Sequence, residues 1–290
     1  DSFLTVVEAG AFVDDLTSSD DLRDRGLHAA ENDHRAVADV VARQVEFADT
    51  IIVWGTPQAD AYDTGRLGTL LHRLVPWAAQ TRVGDTRTVD CTALAARVLG
   101  HGRHDPARPG MLGRALVGLP IGLHDPRGEY GINSVLFRSR RPFHPSRLFD
   151  ALDELTGATR GRGLLWLASQ PGTVIGWESA GGGVQLGTLG PWLAGVPADR
   201  WSEASDLRRM AADLDWDPYY GDRQTVLSFV GPGLDAAALT ARLKGCLLTD
   251  AELAAGSERW PALPDPFDGF FPQRTESVPG NWVGDVERPL

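Results

Sequence analysis

A chain of 290 residues with 42% hydrophobic content holds one large domain or two ordinary ones, with enough apolar side chain for a sizeable core. Its net charge of −11 and pI near 5.1 argue against a protein that coats DNA, while leaving room for a local basic patch. No apolar run approaches the ~20 residues that span a bilayer, and no signal peptide is visible, so the expectation is a soluble, cytoplasmic protein without direct contact to DNA or membrane.

Cys91 and Cys246 lie far apart in no metal-ligand spacing and read as reduced thiols. Lys244 is the only lysine, and every other fixed cation is an arginine. Any mechanism that needs a lysine near the N-terminus is therefore excluded from this chain.

In chain order, "FLTVVEAGAFV" places a strand at about Leu4 to Val7 with almost no lead-in, which suggests that the chain begins partway through a domain. An Asp-rich polar loop, "DDLTSSDDLRDRG", follows. The stripe Val37, Val40, Val41, Val45 with Phe47 or Ala48 predicts a helix capped by Asn32 or Asp33. "TIIVW" reads as a short buried strand, and "YDTGRLGTLLHRLVPWA" as a helix broken near Pro76. "TRTVDC" reads as a strand and "TALAARVLG" as a short helix. This alternation implies a parallel α/β layer over residues 1–99.

Residues 100–132 are rich in Gly, Pro, His and Asp and read as a mobile linker. A second domain is expected over 133–260. Its strands are "SVLFRSR", "GRGLLWLAS", "TVIGWES", "GVQLGTLG" and "RQTVLSFVG". Its helices are "HPSRLFDALDELTG", "EASDLRRMAADLD" and "DAAALTARLKGCLLTDAEL". The order contains the split β-α-β arrangement of ferredoxin-like domains. Residues 261–290 read as a proline-rich tail, draped on the surface or disordered.

Few residues invite chemistry. Arg138, Arg140 and Arg141 form a block that can bind phosphate or carboxylate in bidentate fashion, and His144 beside them can titrate near neutral pH. With no acidic or nucleophilic neighbour in sequence, the favoured reading of the block is the end of a strand and the start of a helix. "ESAGGG" lies between strands, so a hairpin turn needing positive φ is favoured over an anion-binding loop. Trp166 and Trp177 sit on adjacent predicted strands, as a cross-strand pair in the core. His101 and His104, with Asp105 and His124, are a weak set of metal ligands on a flexible segment. No GxxxxGK[ST], GxSxG, HExxH or Cys-x-x-Cys is present, and no catalytic or metal-binding residue is assigned.

Taken in order, "TVVEAGAFV", "VEFADTIIV", "FRSRRPFHPSRLFDAL", "GLLWLASQP", "WESAGGG" and "DRQTVLSFVG" resemble the CobW family of P-loop GTPases and metallochaperones. The resemblance runs from Thr5 to about Glu252, apart from the linker. It implies a partial GTPase-type parallel sheet followed by an α+β, ferredoxin-like CobW C-terminal domain, with "RRPFHP" at the entrance to that domain. "GLLWLASQP", "WESAGGG" and "YYGDRQT" point to the actinobacterial subgroup that recruits a ribosome hibernation factor under zinc limitation.

The departures are equally specific. The family's P-loop, Cys-x-x-Cys and Mg²⁺ ligands are not in this chain. Where members read guanine with Asn-Lys-x-Asp after the "TIIV" strand, Trp54, Gly55, Thr56 and Pro57 stand here, and Asp60 lies three residues later. Glu8 stands where the family often has Asp. No cofactor is expected in this chain, and the resemblance assigns GTP, Mg²⁺ and Zn²⁺ to a full-length parent. Three readings remain open. The first is a recruiting factor whose protein partner is a hibernation factor or the small ribosomal subunit, engaged through Arg138, Arg140, Arg141 and His144 or the acidic Asp14–Asp24 stretch. The others are a zinc metallochaperone GTPase and a nucleotide-free interaction module.

Overall fold

The computed structural model describes residues 1–55, 61–106, 128–157 and 160–270. Three strands, β1 (Leu4–Glu8), β2 (Thr50–Trp54) and β3 (Ala79–Val83), form a parallel sheet in the order β1-β2-β3. Helices α1 (Phe12–Thr17) and α2 (Val37–Glu46) join β1 to β2. Helix α3 (Ala61–Leu74) precedes β3, and α4 (Cys91–Val98) follows it. The unbroken apolar run of β2 is buried on both faces, as a central parallel strand requires. Ile51 and Val53 meet Ala42, Val45, Leu67, Leu70 and Leu71 on one side, while Ile52 meets Val83 and Val98 on the other.

The second sheet is antiparallel. Its strands are β4 (Ile132–Ser139), β5 (Arg160–Leu165), β6 (Thr173–Ala180), β7 (Gly183–Pro191) and β8 (Thr225–Pro232), in the order β4-β8-β5-β6-β7. Because β8 is antiparallel to both neighbours, β4 and β5 run parallel with the last strand inserted between them. That is a split β-α-β unit. Its crossover is α5 (Pro145–Asp150) and α6 (Leu152–Thr156). Helix α7 (Asp206–Leu214) precedes β8, and α8 (Ala236–Cys246) and α9 (Asp250–Ala254) follow it. Phe143, Leu148, Leu155, Trp177, Phe229 and Leu243 build the main core. Ile132 and Val230 belong instead to the core of the parallel unit, so the two units share apolar surface.

Several local expectations are corrected. Helix α2 starts at Val37 without a side-chain cap, because Asp33 is turned to the Arg35 guanidinium and the Ala29 N–H. "TRTVDC" is no strand: β3 lies earlier, and Asp90 instead caps α4 by accepting from the Thr92 and Ala93 N–H groups. Part of the Asp-rich loop is helical, since Phe12 and Leu16 bury one side of α1. The two long helices expected in the second unit are each divided, at Ala151 and at Leu247–Thr249. Trp166 and Trp177 do not pair: Trp177 faces Gly163 and enters the main core, while Trp166 packs edge-on against Tyr220 and Trp260.

At the head of the expected linker, Gly100 and Gly102 donate to the Asp1 carboxylate. Residues 107–127, with His124, lie outside the described residues, as do 56–60, with Asp60. Of the expected tail, Phe267 is buried in the main core, and 271–290 lie outside the described residues. No helix among the described residues is long and apolar enough to cross a membrane.

The "AGGG" stretch is the β6–β7 hairpin turn, with Gly181 at φ 56° and Gly182 at φ 84°. This turn docks on the parallel unit. A Cβ on Gly181 would lie 2.0 Å from the Ser18 carbonyl oxygen and 2.6 Å from the Ala38 Cβ, whereas one on Gly182 meets nothing. Gly181→Ala is therefore expected to cost about 2 kcal/mol or more, from overpacking added to left-handed strain, and Gly182→Ala about 1 kcal/mol, from strain alone. Urea denaturation of the two variants checks this ordering.

Candidate functional site: the charged seam and the arginine block

The two units meet along a charged seam. Asp39, Arg43 and Glu46 share one face of α2 by their spacing. Across from them, Arg160 and Arg162 point to one face of β5. Glu178 stands opposite Arg162 on β6, and Gln185 opposite Glu178 on β7. The Arg160 guanidinium donates to both Glu46 oxygens, at 2.6 and 2.8 Å, and reaches Glu178 at 3.4 Å. Arg162 also donates to Glu46. Arg43 pairs with Asp39 at 3.1 Å and Glu178 at 3.6 Å and donates to Gln185.

The Arg160 side chain is 2% exposed and that of Glu46 8%. Burial lowers the Arg162 pKa to about 10, against the opposing pull of Glu178, so the guanidinium stays charged near neutral pH. Three carboxylates thus face three guanidiniums. The role of such a cluster is to fix one unit against the other. Glu46→Gln leaves buried guanidiniums without their anion and is expected to cost about 3–5 kcal/mol, while joint replacement of Glu46 by Leu and Arg160 by Met should cost much less. Denaturation midpoints of the single and double variants measure the difference.

The arginine block lies at the end of β4, and most of its donors turn inward. Arg140 donates to the carbonyls of Gly221 and Arg223, at 2.9 and 3.2 Å, and pairs with Asp215 at 2.9 Å. Arg141 holds the Leu248 carbonyl at 2.9 Å and Asp250 at 2.7 Å. Arg138 meets Asp215 at 3.6 Å and is the most exposed of the three. His144 is the N-cap of α5, its Nδ1 accepting from the Arg147 N–H. Arg140 therefore fixes the loop carrying "YYGD", from which Tyr219 projects 83% exposed. Within the acidic Asp14–Asp24 stretch, Arg25 pairs with Asp15 and Asp20.

Behind His144, Glu252 accepts two hydrogen bonds from Arg147, at 2.6 and 3.1 Å, and completes a capping box with Thr249. The Arg147 bonds come first, and the Thr249 N–H and hydroxyl add to them, holding the Glu252 pKa down at about 2. Burial, then the Arg147 charge, lowers the His144 pKa, while Glu252 opposes. Both are groups whose folded value is depressed, so each supports folding above its unfolded pKa and loses that support on acidification. Stability should fall as pH drops below 6.5, through His144, and again from 4.5 toward about 2, through Glu252. In urea titrations across pH, His144→Asn should flatten the first decline and Glu252→Gln the second.

A nucleotide or metal finds little among these residues. The single lysine, Lys244, is exposed in the last turn of α8, away from the parallel sheet. A triphosphate with its Mg²⁺ does not fit the side chains described, and Glu8 is exposed at the end of β1. His101 meets the Ala96 carbonyl at 3.2 Å, while His104 meets Asp49 at 3.1 Å and stacks edge-on against Phe3. No group of three or more His, Cys, Asp or Glu gathers as metal ligands among the described residues. Cys246 is buried, which pushes its thiol pKa up, and Cys91 is exposed.

Residues 132–247, from the first residue of β4 to just past α8, match the family described as the cobalamin synthesis protein cobW C-terminal domain. By this match, the second unit is similar to a CobW C-terminal domain. The arginine block thus lies at the end of the first strand of the CobW domain, and the charged seam is the join between that domain and the parallel unit. The chain is 38% identical over 253 residues to the zinc chaperone Rv0106 of Mycobacterium tuberculosis, a match covering 85% of this chain and 58% of that protein. It is 28% identical over 276 residues to the zinc-regulated GTPase metalloprotein activator 1 of Dictyostelium discoideum, covering 92% of this chain and 56% of that protein. The chain thus spans a little over half the length of these relatives.

Two crystal structures, of the Zn(II)-bound YjiA GTPase from E. coli and of a Zn(II)-bound YjiA triple mutant, are 14% and 15% identical, with TM-scores of 0.34 and 0.38. Each match covers 86% of this chain and 61% of the other, a likeness too loose to argue from.

The seam was missed in the sequence. Two local signals could have suggested it: Glu46, placed beside the apolar stripe of α2, and the alternation Arg-Gly-Arg-Gly, which sets two cations on one face of β5.

Proposed function

We propose that this chain is part of a zinc-handling protein of the CobW-type GTPase family. In this reading the nucleotide and metal ligands lie outside the chain, and the CobW domain engages the protein that receives or responds to the metal. The observation that carries the reading is the charged seam. It ties α2 of the parallel unit to the sheet of the CobW domain, so a nucleotide-driven shift of the parallel unit would be felt in that domain. The identity to a protein named as a zinc chaperone, over 85% of the chain, supports the metal.

The test uses a longer protein that adds a P-loop to this chain. Zinc should change its GTP turnover severalfold, and joint replacement of Glu46 by Leu and Arg160 by Met should abolish the zinc response while leaving basal turnover. Turnover indifferent to zinc would sink the reading. The 290 residues alone should show none.

A second reading, recruitment of a ribosome hibernation factor or of the small ribosomal subunit under zinc limitation, is favoured by the "YYGDRQT" loop. Arg140 donates to the Gly221 and Arg223 carbonyls of this loop, Tyr219 is exposed on it, and Arg138 meets Asp215, which Arg140 also holds. Cosedimentation with small subunits, lost on Tyr219→Ser, would favour this reading over the first.

A further inference from the structure

The two sheets have four edge strands, and the described residues leave one of them without charge. In the parallel sheet, β1 ends in Glu8 and β3 carries Arg82; in the CobW sheet, the β4 edge carries Arg138. These are the ordinary guards of a sheet edge, since a charge on an edge strand disfavours pairing with another chain. Strand β7 has none. It is nine residues long, and it lies within the longest uncharged run of the sequence, the 20 residues from 179 to 198. Among the described residues it pairs with β6 on one side and with no strand on the other. The one irregularity of its pairing, at Val174/Ile175 of β6, falls near the far end, so Gly183–Thr188 keeps a regular register with β6.

We propose that β7 is a self-association edge, on which the β7 of a second copy of this chain adds antiparallel to make one continuous sheet across a two-fold axis. Charge decides the occupant. With a net charge of −11, two copies repel over most of their surface, and like charges set opposite each other across a strand pair are unfavourable. A two-fold antiparallel pairing sets each residue against another of the same segment, and a segment without charge meets itself with no like-charge penalty. The inner side chains keep the edge ordered: Val184 and Leu186 pack on the main core, and Gln185 is bonded to Arg43. Thr188 is half-buried and forms no part of the seam.

The test is sedimentation equilibrium of the 290-residue chain, alone and with single substitutions on two edges. A monomer–dimer equilibrium is expected. Thr188→Lys and Thr188→Glu should each raise the dissociation constant about tenfold or more, and mixing the two variants should restore association. Val6→Lys, on the β1 edge, should leave the equilibrium unchanged, and unaltered thermal unfolding of the Thr188 variants confirms that each still folds. A chain that stays monomeric at all concentrations overturns the proposal and leaves the β7 edge to an extended segment of another protein. A dimer broken by Val6→Lys and indifferent to Thr188→Lys overturns it as well, and moves the contact to β1. Nucleotide turnover plays no part in this readout, so its outcome is independent of the zinc-linked reading.

Discussion

The arrangement of this protein hangs on one buried carboxylate. Glu46 sits at the end of α2, out of water, and receives the Arg160 guanidinium in a two-pronged bond with Arg162 alongside. An ion pair so placed adds little to net stability, because desolvation of its charges offsets most of the attraction. What it does is discriminate. The parallel unit and the CobW domain share apolar contacts through Ile132 and Val230, and apolar contacts tolerate sliding. A carboxylate that must meet a planar fork does not. A slip of one residue along β5 would carry Arg160 and Arg162 to the opposite face of the sheet and leave Glu46 unpaired. The seam therefore sets register where the core alone would leave a range of placements.

Arginine suits this use throughout the chain. Arg140 grips the loop before β8, Arg141 and Arg147 grip the backbone at Leu248 and Leu247, and Arg160 reaches the Ser179 carbonyl. Each ties a loop, helix or strand to backbone outside its own element. A guanidinium can serve several carbonyl and carboxylate oxygens in one plane, which an ammonium cannot. The near-absence of lysine thus coincides with a structure braced by arginine forks. The block Arg138–Arg141 was singled out as a binding patch for the same property.

The elements with a clear period were legible. The α2 stripe, the apolar run of β2 and the alternating strands of the CobW domain each follow from hydrophobic spacing. Boundaries set by tertiary contacts were not. "HPSRLFDALDELTG" has no residue that breaks a helix at Ala151, and "LKGCLLTDAEL" is interrupted because Leu248 is drawn into the cluster with Trp166 and Trp260. Glu46 and Arg160 lie 114 residues apart, so no local pattern joins them. The misreading of Trp166 has a similar cause: one residue beyond the end of β5 it leaves the sheet and joins a different cluster from Trp177.

Glu252 has a consequence of another kind. One carboxylate closes the capping box at Thr249 and receives Arg147, while its own backbone carbonyl accepts the Trp260 indole N–H. Three fastenings therefore share a single residue. Further along, Asp265 accepts from Ser169 and Gln170, and Phe267 enters the main core, so the segment is fastened at both ends. A segment tied in this way opens only when several of these contacts give way together.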